Sequence, residues 1–253
     1  MRDGCKMLSL KYKIKGLNFY EYWFANSIAK CKTEYFGLYC YRDSYNDVEV
    51  KGFVQEKKYT LINDLTQSSD TLFSSFKSNV RNEIRKCEKI EGLEFKIDQS
   101  SMEKFLEFYR DFAHAKSLSA LQIRSLEKYQ TNLYYISSYL EEKLSNMQVY
   151  IVDEESGRVR LLHSISNLHE QEDKHKRATI GWINRFLHWK MMLLFKRLGY
   201  HTFDWGGYTN NPNSPLAGID KFKASFGGKT VALYDYYSYL YYWVKILQSK
   251  MGS

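Results

Sequence analysis

The residues best suited to chemistry lie in the C-terminal part of the chain. Asn184 and His188 are four residues apart, so on a helix both side chains share one face, at the edge of an apolar stripe. Asp204 ends a short apolar stretch and stands two residues before a pair of glycines. Imidazole and carboxylate groups are common general acids and bases. We therefore predict His188 and Asp204 as catalytic residues that steer a proton, and Asn184 as a third catalytic residue. The alternative for Asn184 and His188 is that they are satisfied polar groups that lock a helix to a sheet.

The glycine pair is the second chemical signal. Gly206 and Gly207 directly follow a predicted strand. Glycine has no Cβ, so a ligand can approach the backbone closely at such a position. Gly206, Gly207 and Tyr208 are therefore predicted as substrate contacts, and a simple turn is the alternative.

Two groups of basic residues complete the predicted site. Lys77, Arg81 and Arg85 repeat every four residues, which places them on one face of a helix. Most stripes of this kind are solvated, but Arg81 and Arg85 are also suited to the diphosphate of a nucleotide. Lys221 and Lys223 alternate along a stretch with the pattern of a strand or turn, and they are predicted as phosphate or substrate contacts.

Motifs for metals and for several large enzyme classes are missing from the sequence. His169 and His175 are six residues apart, whereas two histidines that bind one metal from a helix face need a spacing of four. No P-loop, no GxGxxG fingerprint and no GxSxG elbow occurs. The four cysteines form no CxxC pair, which favours reduced structural thiols. No metal is predicted.

Length and composition indicate one folded unit. The 253 residues are 44% hydrophobic and 26% charged, and both prolines lie in residues 212–215, so no proline-rich linker divides the chain. We predict a single domain over 1–253, with a strand-rich part (1–65) and a core (66–253). No apolar run reaches the roughly 20 residues of a membrane span, and charges interrupt residues 1–15, unlike a secretory signal. A cytoplasmic protein without a membrane span is predicted.

The charge points to an anionic partner. The net charge is +8, the pI is about 9.1, and there are 22 tyrosines. A basic chain of this kind attracts nucleic acid, membrane headgroups or a nucleotide-bearing substrate. A non-catalytic RNA-binding module is therefore one alternative, with tyrosines stacking on bases.

Hydrophobic periodicity predicts strands separated by helices, and hence an α+β (mixed α/β) fold. The predicted strands are 8–14, 35–41, 48–54, 58–65, 93–97, 147–152, 159–165, 202–205 and 230–236. The predicted helices are 18–29, a long one from 68 to just before Gly92, 101–115, 125–144, 180–198 and a C-terminal one to 249. The charged stretch 169–177 is predicted as a loop.

Three blocks in this order resemble the C-terminal part of FemAB-like members of the GNAT superfamily: Asn184 to Trp189, Asp204 to Gly207, and Lys221 to Gly228. Helix 74–89 is similar to the basic helix of that family. The resemblance is closest to single-domain members from bacterial surface-polysaccharide gene clusters, which resemble nucleotide-linked amino-sugar N-acyltransferases. It is specific over 184–228 and looser over 70–230. It implies a GNAT-like central mixed, mostly antiparallel sheet flanked by helices.

The resemblance also implies acetyl-CoA or another acyl-CoA as co-substrate. Backbone N–H groups of a splayed strand, here 164–167, would hold the oxyanion. The pyrophosphate would lie at the N-terminus of the helix beginning near Ile180. The pyrophosphate signature of the family is matched only in part, by Arg177 to Gly181. The predicted cofactor contacts are Ser164, Ser166, Arg177, Thr179, Gly181 and Arg185.

We therefore predict an acyl-CoA-dependent N-acyltransferase, in which the amine of a nucleotide-linked amino sugar attacks the thioester directly, for O-antigen or capsule biosynthesis. Its predicted partners are acyl-CoA and the amino sugar rather than nucleic acid. Alignment of amine and thioester provides effective molarities of about 10⁵–10⁸ M. The enzymatic alternative is an aminoacyl-tRNA-dependent FemAB-type transferase of peptidoglycan synthesis, whose usual second domain and coiled-coil arm this sequence does not contain.

Overall fold

The computed structural model describes residues 7–14, 16–25, 37–98, 101–115, 124–129, 132–168 and 172–251. The strands are β1 (Leu8–Ile14), β2 (Leu17–Trp23), β3 (Leu38–Ser44), β4 (Phe53–Asp64), β5 (Leu93–Asp98), β6 (Leu133–Leu140), β7 (Lys143–Asp153), β8 (Arg158–Ser166), β9 (Thr202–Tyr208) and β10 (Lys229–Ser238). The helices are α1 (Ser69–Ser75), α2 (Ser78–Cys87), α3 (Met102–Ala115), α4 (Arg124–Glu127), α5 (Lys174–Arg197), α6 (Ala217–Ala224) and α7 (Tyr239–Met251).

These ten strands form one sheet in the order β1-β2-β3-β10-β4-β9-β8-β7-β6-β5. The pairs β2–β3 and β8–β9 are parallel, and every other neighbouring pair is antiparallel. Strand β10 lies between β3 and β4, so the last strand of the chain joins strands from its beginning. The predicted fold class, a mixed and mostly antiparallel sheet flanked by helices, is confirmed.

Alternation along the strands gives the sheet two apolar faces. On β7, Tyr150 and Val152 belong to the larger core, together with α2 and α5, whereas Val149 and Ile151 pack with Phe105 of α3. Successive side chains of a strand point to opposite faces. Helices α2 and α5 therefore cover one face near β7 and β8, and α3 covers the other.

Two predicted helices are wrong. Residues 18–23 of the predicted helix 18–29 belong to β2, and residues 26–29 lie outside the described residues. The predicted helix 125–144 is the short helix α4 followed by β6 and the start of β7. The turn between these two strands consists of Glu141 and Glu142, whose φ angles are 50° and 65°. Glutamate is an unusual residue in this left-handed conformation. The turn has no glycine or asparagine from which it could be predicted in the sequence.

Other boundaries also differ from the prediction. The predicted long helix from residue 68 divides at Phe76, whose ψ of 149° separates α1 from α2. The predicted strand 48–54 begins only at Phe53. Helix α5 begins at Lys174 rather than near Ile180, so the end of the predicted loop 169–177 is helical. Strand β1, helix α3, strand β5 and the β7–β8 hairpin are confirmed.

Candidate active site

The parallel strands β8 and β9 pair for only a short distance. Their register joins Arg158 to Thr202, Val159 to Phe203 and Arg160 to Asp204, and it stops there. Strand β8 nevertheless continues to Ser166 and β9 to Tyr208. Each strand stays paired on its other edge, β8 with β7 and β9 with β4. Two neighbouring strands thus diverge, and the facing edge of β8 beyond Arg160 presents backbone groups that β9 does not pair.

Two bulges bend the strands apart at this point. In β8 the register with β7 shifts between Leu161 and His163. In β9 the register with β4 shifts across Trp205 and Gly206. A bulge bends its strand and increases its twist. The two irregularities lie side by side, so the gap between β8 and β9 is part of the backbone and independent of any single side chain.

Gly206 lies at the point of divergence. Its φ is 71°, and a Cβ there would lie 2.7 Å from the Leu161 carbonyl oxygen of β8. Gly207 has no left-handed φ, and a Cβ there would meet nothing within 4 Å. The first glycine is therefore required by the fold, and the second leaves open space beside the backbone.

Replacing Gly206 with alanine is expected to lower the free energy of unfolding by about 2 kcal/mol or more, because left-handed backbone is strained for alanine and the methyl group overlaps β8. Gly207→Ala is the matched control, with an expected change within about 0.5 kcal/mol. Urea unfolding followed by tryptophan fluorescence measures both values. Equal stability of the two variants would contradict this account of the divergence.

Asp204 is buried beneath the divergence. Its Oδ1 accepts hydrogen bonds from the Gly206 N–H at 2.7 Å and from the Thr60 hydroxyl at 2.5 Å. Its Oδ2 lies 3.1 Å from an Arg160 guanidinium nitrogen and 3.6 Å from one of Arg158. The carboxylate thus holds β4, β8 and β9 together. Its predicted part in proton transfer stays a prediction.

Asp204 is one end of a chain of buried charges on this face of the sheet. Arg160 also contacts Asp43 at 3.1 Å, and Lys58 bridges Asp43 at 2.6 Å and Asp235 at 2.7 Å. The five residues belong to β3, β4, β8, β9 and β10. Positive and negative groups alternate, which satisfies charges that would otherwise be costly to bury.

Asn184 and His188 are joined in a second network, under α5. The Asn184 Oδ1 accepts from the Gln148 side chain at 3.0 Å and from the Ser164 hydroxyl at 3.2 Å. His188 lies with Nδ1 3.1 Å from the Tyr150 hydroxyl and Nε2 3.4 Å from the Ser164 hydroxyl. The structure therefore brings three predicted residues, Asn184, His188 and Ser164, together.

The hydrogen bonds of this network define the protonation of His188. The Tyr150 hydroxyl donates its hydrogen to the Gln148 Oε1 at 2.6 Å. Nδ1 of His188 therefore donates to Tyr150, and Nε2 carries no hydrogen. The Ser164 hydroxyl gives its single hydrogen to the Asn184 Oδ1, so its 3.4 Å approach to Nε2 is a contact and not a second hydrogen bond. Burial, reinforced by Lys223 and Arg185, lowers the pKa of His188 to about 3. The imidazole is fully buried and neutral, so it has no direct contact with solvent.

Lys223 lies at the open side of the divergence. It belongs to α6 rather than to the predicted strand or turn, and its Nζ donates to the Gly207 carbonyl at 2.5 Å. Burial, together with the nearby Arg160 charge, lowers the pKa of Lys223 to about 8, against the opposing effect of Asp204 and Asp220. An amine with this pKa is present in both protonation states near neutral pH. Lys221, on the same helix, is exposed.

Three of the six predicted cofactor contacts, Arg177, Thr179 and Gly181, lie on the first two turns of α5. A cavity of about 190 Å³ is lined there by Lys143, Ser145, Asn167, Lys176 and Thr179, among others. Because α5 begins at Lys174, capped by the Asp173 side chain, the free N–H groups lie upstream of Thr179 and Gly181. An anion at this helix terminus would thus lie more than a turn from the predicted position at Ile180.

Two of the predicted contacts, Arg185 and Arg81, have partners within the protein, and two others, Arg177 and Ser166, differ in exposure. Arg177 is exposed, and Ser166 is buried on β8. Arg185 forms an ion pair with Glu83 of α2 at 2.9 Å and donates to the Gly181 carbonyl. Arg81 donates to the Ser74 and Phe76 carbonyls at the end of α1.

The remaining predicted substrate contacts lie at the edges of this region. Arg85 stacks on the Phe73 ring at 5.4 Å, so Arg81 and Arg85 both support the α1–α2 corner. Tyr208 pairs with Tyr59 of β4. Binding roles for all of these residues stay predictions.

No group of three or more metal-ligating side chains occurs among the described residues. His169 lies outside them, so the spacing of His169 and His175 is not visible in the fold. No helix in the described part of the chain is long and apolar enough to cross a membrane.

Sequence reasoning missed Lys58, Arg160, Gln148 and Tyr150. Arg158 and Arg160 could have been found from the sequence, because two arginines two residues apart lie in a strand whose other residues are mostly apolar. Gln148 and Tyr150 could not, since polar residues on a predicted strand are normally assigned to its solvent face.

Comparison with solved structures gives the fold a name. FemX aligns over 92% of this chain and 86% of its own, with a TM-score of 0.63 and 14% identity. The chain folds like FemX. L-PGS from Bacillus licheniformis aligns over 92% of this chain and 81% of its own, with a TM-score of 0.55 and 14% identity. A conserved protein of unknown function from Bacteroides thetaiotaomicron has a TM-score of 0.56 at 8% identity, over 93% and 84%.

These similarities show that the chain has a fold like that of FemX, as the resemblance implied, and at such identities they show the fold alone. No family model matches the sequence. No curated protein matches it either. The residues that act in this chain must therefore be argued from its own geometry.

Proposed function

We propose that this protein is an N-acyltransferase that binds an activated acyl group in the gap between β8 and β9. The observation that carries the proposal is the divergence of these two parallel strands after Arg160 and Asp204. Backbone N–H groups on the free edge of β8, between Leu161 and Ser166, provide donors for a tetrahedral oxyanion. Fixed donors of this kind stabilise the transition state because they need no reorganisation.

The acyl donor that we propose is an acyl-CoA, bound as a substrate. The cavity at the start of α5 has the lysines Lys143 and Lys176 in its lining, and helix N-terminal N–H groups favour anions. A pyrophosphate would be held there, with the thioester carbonyl extending along β8 towards Ser164. The proposal keeps Thr179 as a cofactor contact and adds the two lysines.

Lys223 is the residue that we assign to proton transfer. The attacking amine forms a C–N bond to the thioester carbonyl, the C–S bond breaks, and the nitrogen must lose a proton. Lys223 lies at the gap with a pKa of about 8, so its neutral form accepts this proton near physiological pH. The proton then passes to solvent or to the leaving thiolate.

His188, Asn184 and Asp204 act in this proposal as positioning residues. The buried imidazole and the amide orient the Ser164 hydroxyl at the edge of β8. Asp204 fixes the backbone at Gly206, and its charge opposes the lowering of the Lys223 pKa that burial and Arg160 cause.

The acceptor that we propose is the amine of a nucleotide-linked amino sugar. The net charge of +8 suits a substrate with a diphosphate. Lys221, Tyr208 and Gly207 are on the elements that border the gap, β9 and α6, and we propose them as acceptor contacts. Synthesis of a surface polysaccharide such as O-antigen is the setting that we propose, in the cytoplasm.

Transfer from an aminoacyl-tRNA is the second candidate, and the similarity to the FemX fold over most of both chains favours it. The two donors share the chemistry of an activated acyl carbon attacked by an amine. Both donors carry phosphates, so the net positive charge of the protein does not favour one donor over the other.

An assay with two donors tests the proposal. Purified protein is incubated with acetyl-CoA and a panel of nucleotide amino sugars, and free thiol is measured. A parallel reaction contains labelled aminoacyl-tRNA with amine acceptors. Thiol release that requires an amino sugar supports the first candidate, and label transfer supports the second. No transfer from either donor, with tight salt-sensitive RNA binding, would indicate the RNA-binding alternative.

A further inference from the structure

Helix α7 exposes an apolar face that no other described element covers. It follows β10 directly, and its inner face packs on the sheet: Tyr241 is buried with Phe19, Leu38 and Cys40. On its outer face Tyr239 is 56% exposed, Leu240 48%, Trp243 64% and Leu247 56%. We call these four residues the α7 stripe.

The spacing makes the stripe continuous. Leu240, Trp243 and Leu247 are three and four residues apart, so they form one row along the helix, with Tyr239 at its start. Among the described residues eleven large hydrophobic side chains are exposed, and four of them lie on this single helix. Scattered apolar residues are normal on a surface, but a contiguous group marks a place where something binds.

The chemistry of α7 favours a lipid surface over a protein. Tryptophan and tyrosine prefer the interface between headgroups and acyl chains, where leucines insert more deeply. The helix carries lysines at positions 245 and 250 and no acidic residue. Lys245 contacts Glu56 at 2.5 Å, so part of its charge is already compensated locally.

The net charge of the protein favours an anionic membrane over a second copy of the chain as the partner of α7. The chain carries a net charge of +8, so two copies joined through α7 would bring like charges together, whereas an anionic bilayer attracts them. No helix in the described residues can span a membrane. A helix with an exposed apolar face can lie in the interface plane of a bilayer.

We propose that the α7 stripe inserts into the surface of an anionic lipid bilayer and holds the protein there as a peripheral membrane protein. This inference does not depend on the proposed function. The gap lies near Thr60 and Gly207, which are level with Val231 on β10, whereas α7 begins after Ser238. Seven residues of strand separate the start of α7 from this level of the sheet, roughly 20 Å at the usual rise.

Vesicle flotation tests the proposal with the full chain. Vesicles contain either equal parts of phosphatidylglycerol and phosphatidylcholine or phosphatidylcholine alone. The test variant is Leu240→Ser/Trp243→Ser/Leu247→Ser, and Trp243→Ser alone is a milder version. The control is Leu17→Ser/Val48→Ser/Ile97→Ser, which removes three similarly exposed apolar side chains from other elements. Circular dichroism and thermal unfolding establish that each variant is folded.

The unchanged protein and the control are expected to float with the anionic vesicles, less so at high salt. The triple α7 variant is expected to partition at least about tenfold less, and the single variant to lie between. Failure of the unchanged protein to float, or equal flotation of the α7 variants, would overturn the proposal. A concentration-dependent dimer that the α7 variants abolish, without vesicle binding, would assign the stripe to a subunit interface instead.

Discussion

Replacing Lys223 with arginine is expected to lower kcat for acyl transfer by about 100-fold or more, with a smaller change in KM. Arginine keeps the positive charge, but its guanidinium does not lose a proton in proteins, so it cannot take one from the attacking amine. General base catalysis typically contributes about 10²–10⁴-fold in rate. The measurement is steady-state kinetics with the donor and acceptor that the two-donor assay identifies.

The pH dependence of kcat/KM distinguishes proton transfer by Lys223 from stabilisation by its charge alone. Burial and Arg160 lower the pKa of Lys223 to about 8, so its neutral fraction increases as the pH rises through that value. The value of kcat/KM should therefore rise over the same range in the unchanged protein, and this part of the rise should vanish in Lys223→Arg. The substrate amine titrates identically in both proteins, so the difference isolates Lys223.

Lys229→Arg is the control for this substitution, because Lys229 is exposed at the start of β10, and its kinetics should be unchanged. A Lys223→Arg variant with the original kcat and pH profile would show that the proton leaves by another route.

The fold class and the central motif were predictable because they depend on local patterns. In helix α5 the apolar residues Ile183, Leu187 and Met191 recur every four residues, and Gly199, with a φ of 87°, ends the helix as predicted. The β7–β8 hairpin has the glycine that its turn needs, at Gly157 with a φ of 62°. An element was predicted correctly where the sequence has, at its turn or end, the residue type that the backbone conformation requires.

The errors arise where tertiary structure overrides the local pattern. Glu21 suggests the solvent face of a helix, but in β2 it is fully buried, where it contacts Lys128 at 2.9 Å and accepts a hydrogen bond from Tyr241. Helix α6 begins at Ala217, and its N-cap residue Leu216 makes no side-chain capping hydrogen bond, so no start signal placed Lys221 and Lys223 on a helix. The charged first turn of α5 has the composition of a loop because it is exposed.

The network of buried charges could not be predicted from local sequence patterns. Asp43, Lys58, Arg160, Asp204 and Asp235 are spread over most of the sequence. They meet only because β10 inserts between β3 and β4 while β8 runs beside β9. Strand order of this kind is decided by the packing of the whole sheet. A local pattern identified Asp204 but not its partners.

Replacing Asp204 with asparagine is expected to lower the free energy of unfolding by about 3 kcal/mol. The amide oxygen still accepts from the Gly206 N–H and the Thr60 hydroxyl, so the local geometry is retained. The negative charge opposite Arg160 is lost, and a buried guanidinium keeps only Asp43 as its ion-pair partner. Urea unfolding measures the change. An unaltered midpoint would contradict the view that this charge stabilises the buried network.

Two further variants assign the effect to burial. Glu56→Gln breaks the more exposed pair with Lys245 and should cost less than about 1 kcal/mol. The double variant Arg160→Met/Asp204→Asn removes both charges, so it should lose less stability than the sum of the single changes. Activity of Asp204→Asn, measured well below its unfolding temperature, then separates the two roles of the residue. In Asp204→Asn the backbone at Gly206 keeps its hydrogen bond. A folded variant that still transfers acyl groups would therefore identify Asp204 as a positioning residue. A folded variant without activity would show that the reaction requires the carboxylate itself.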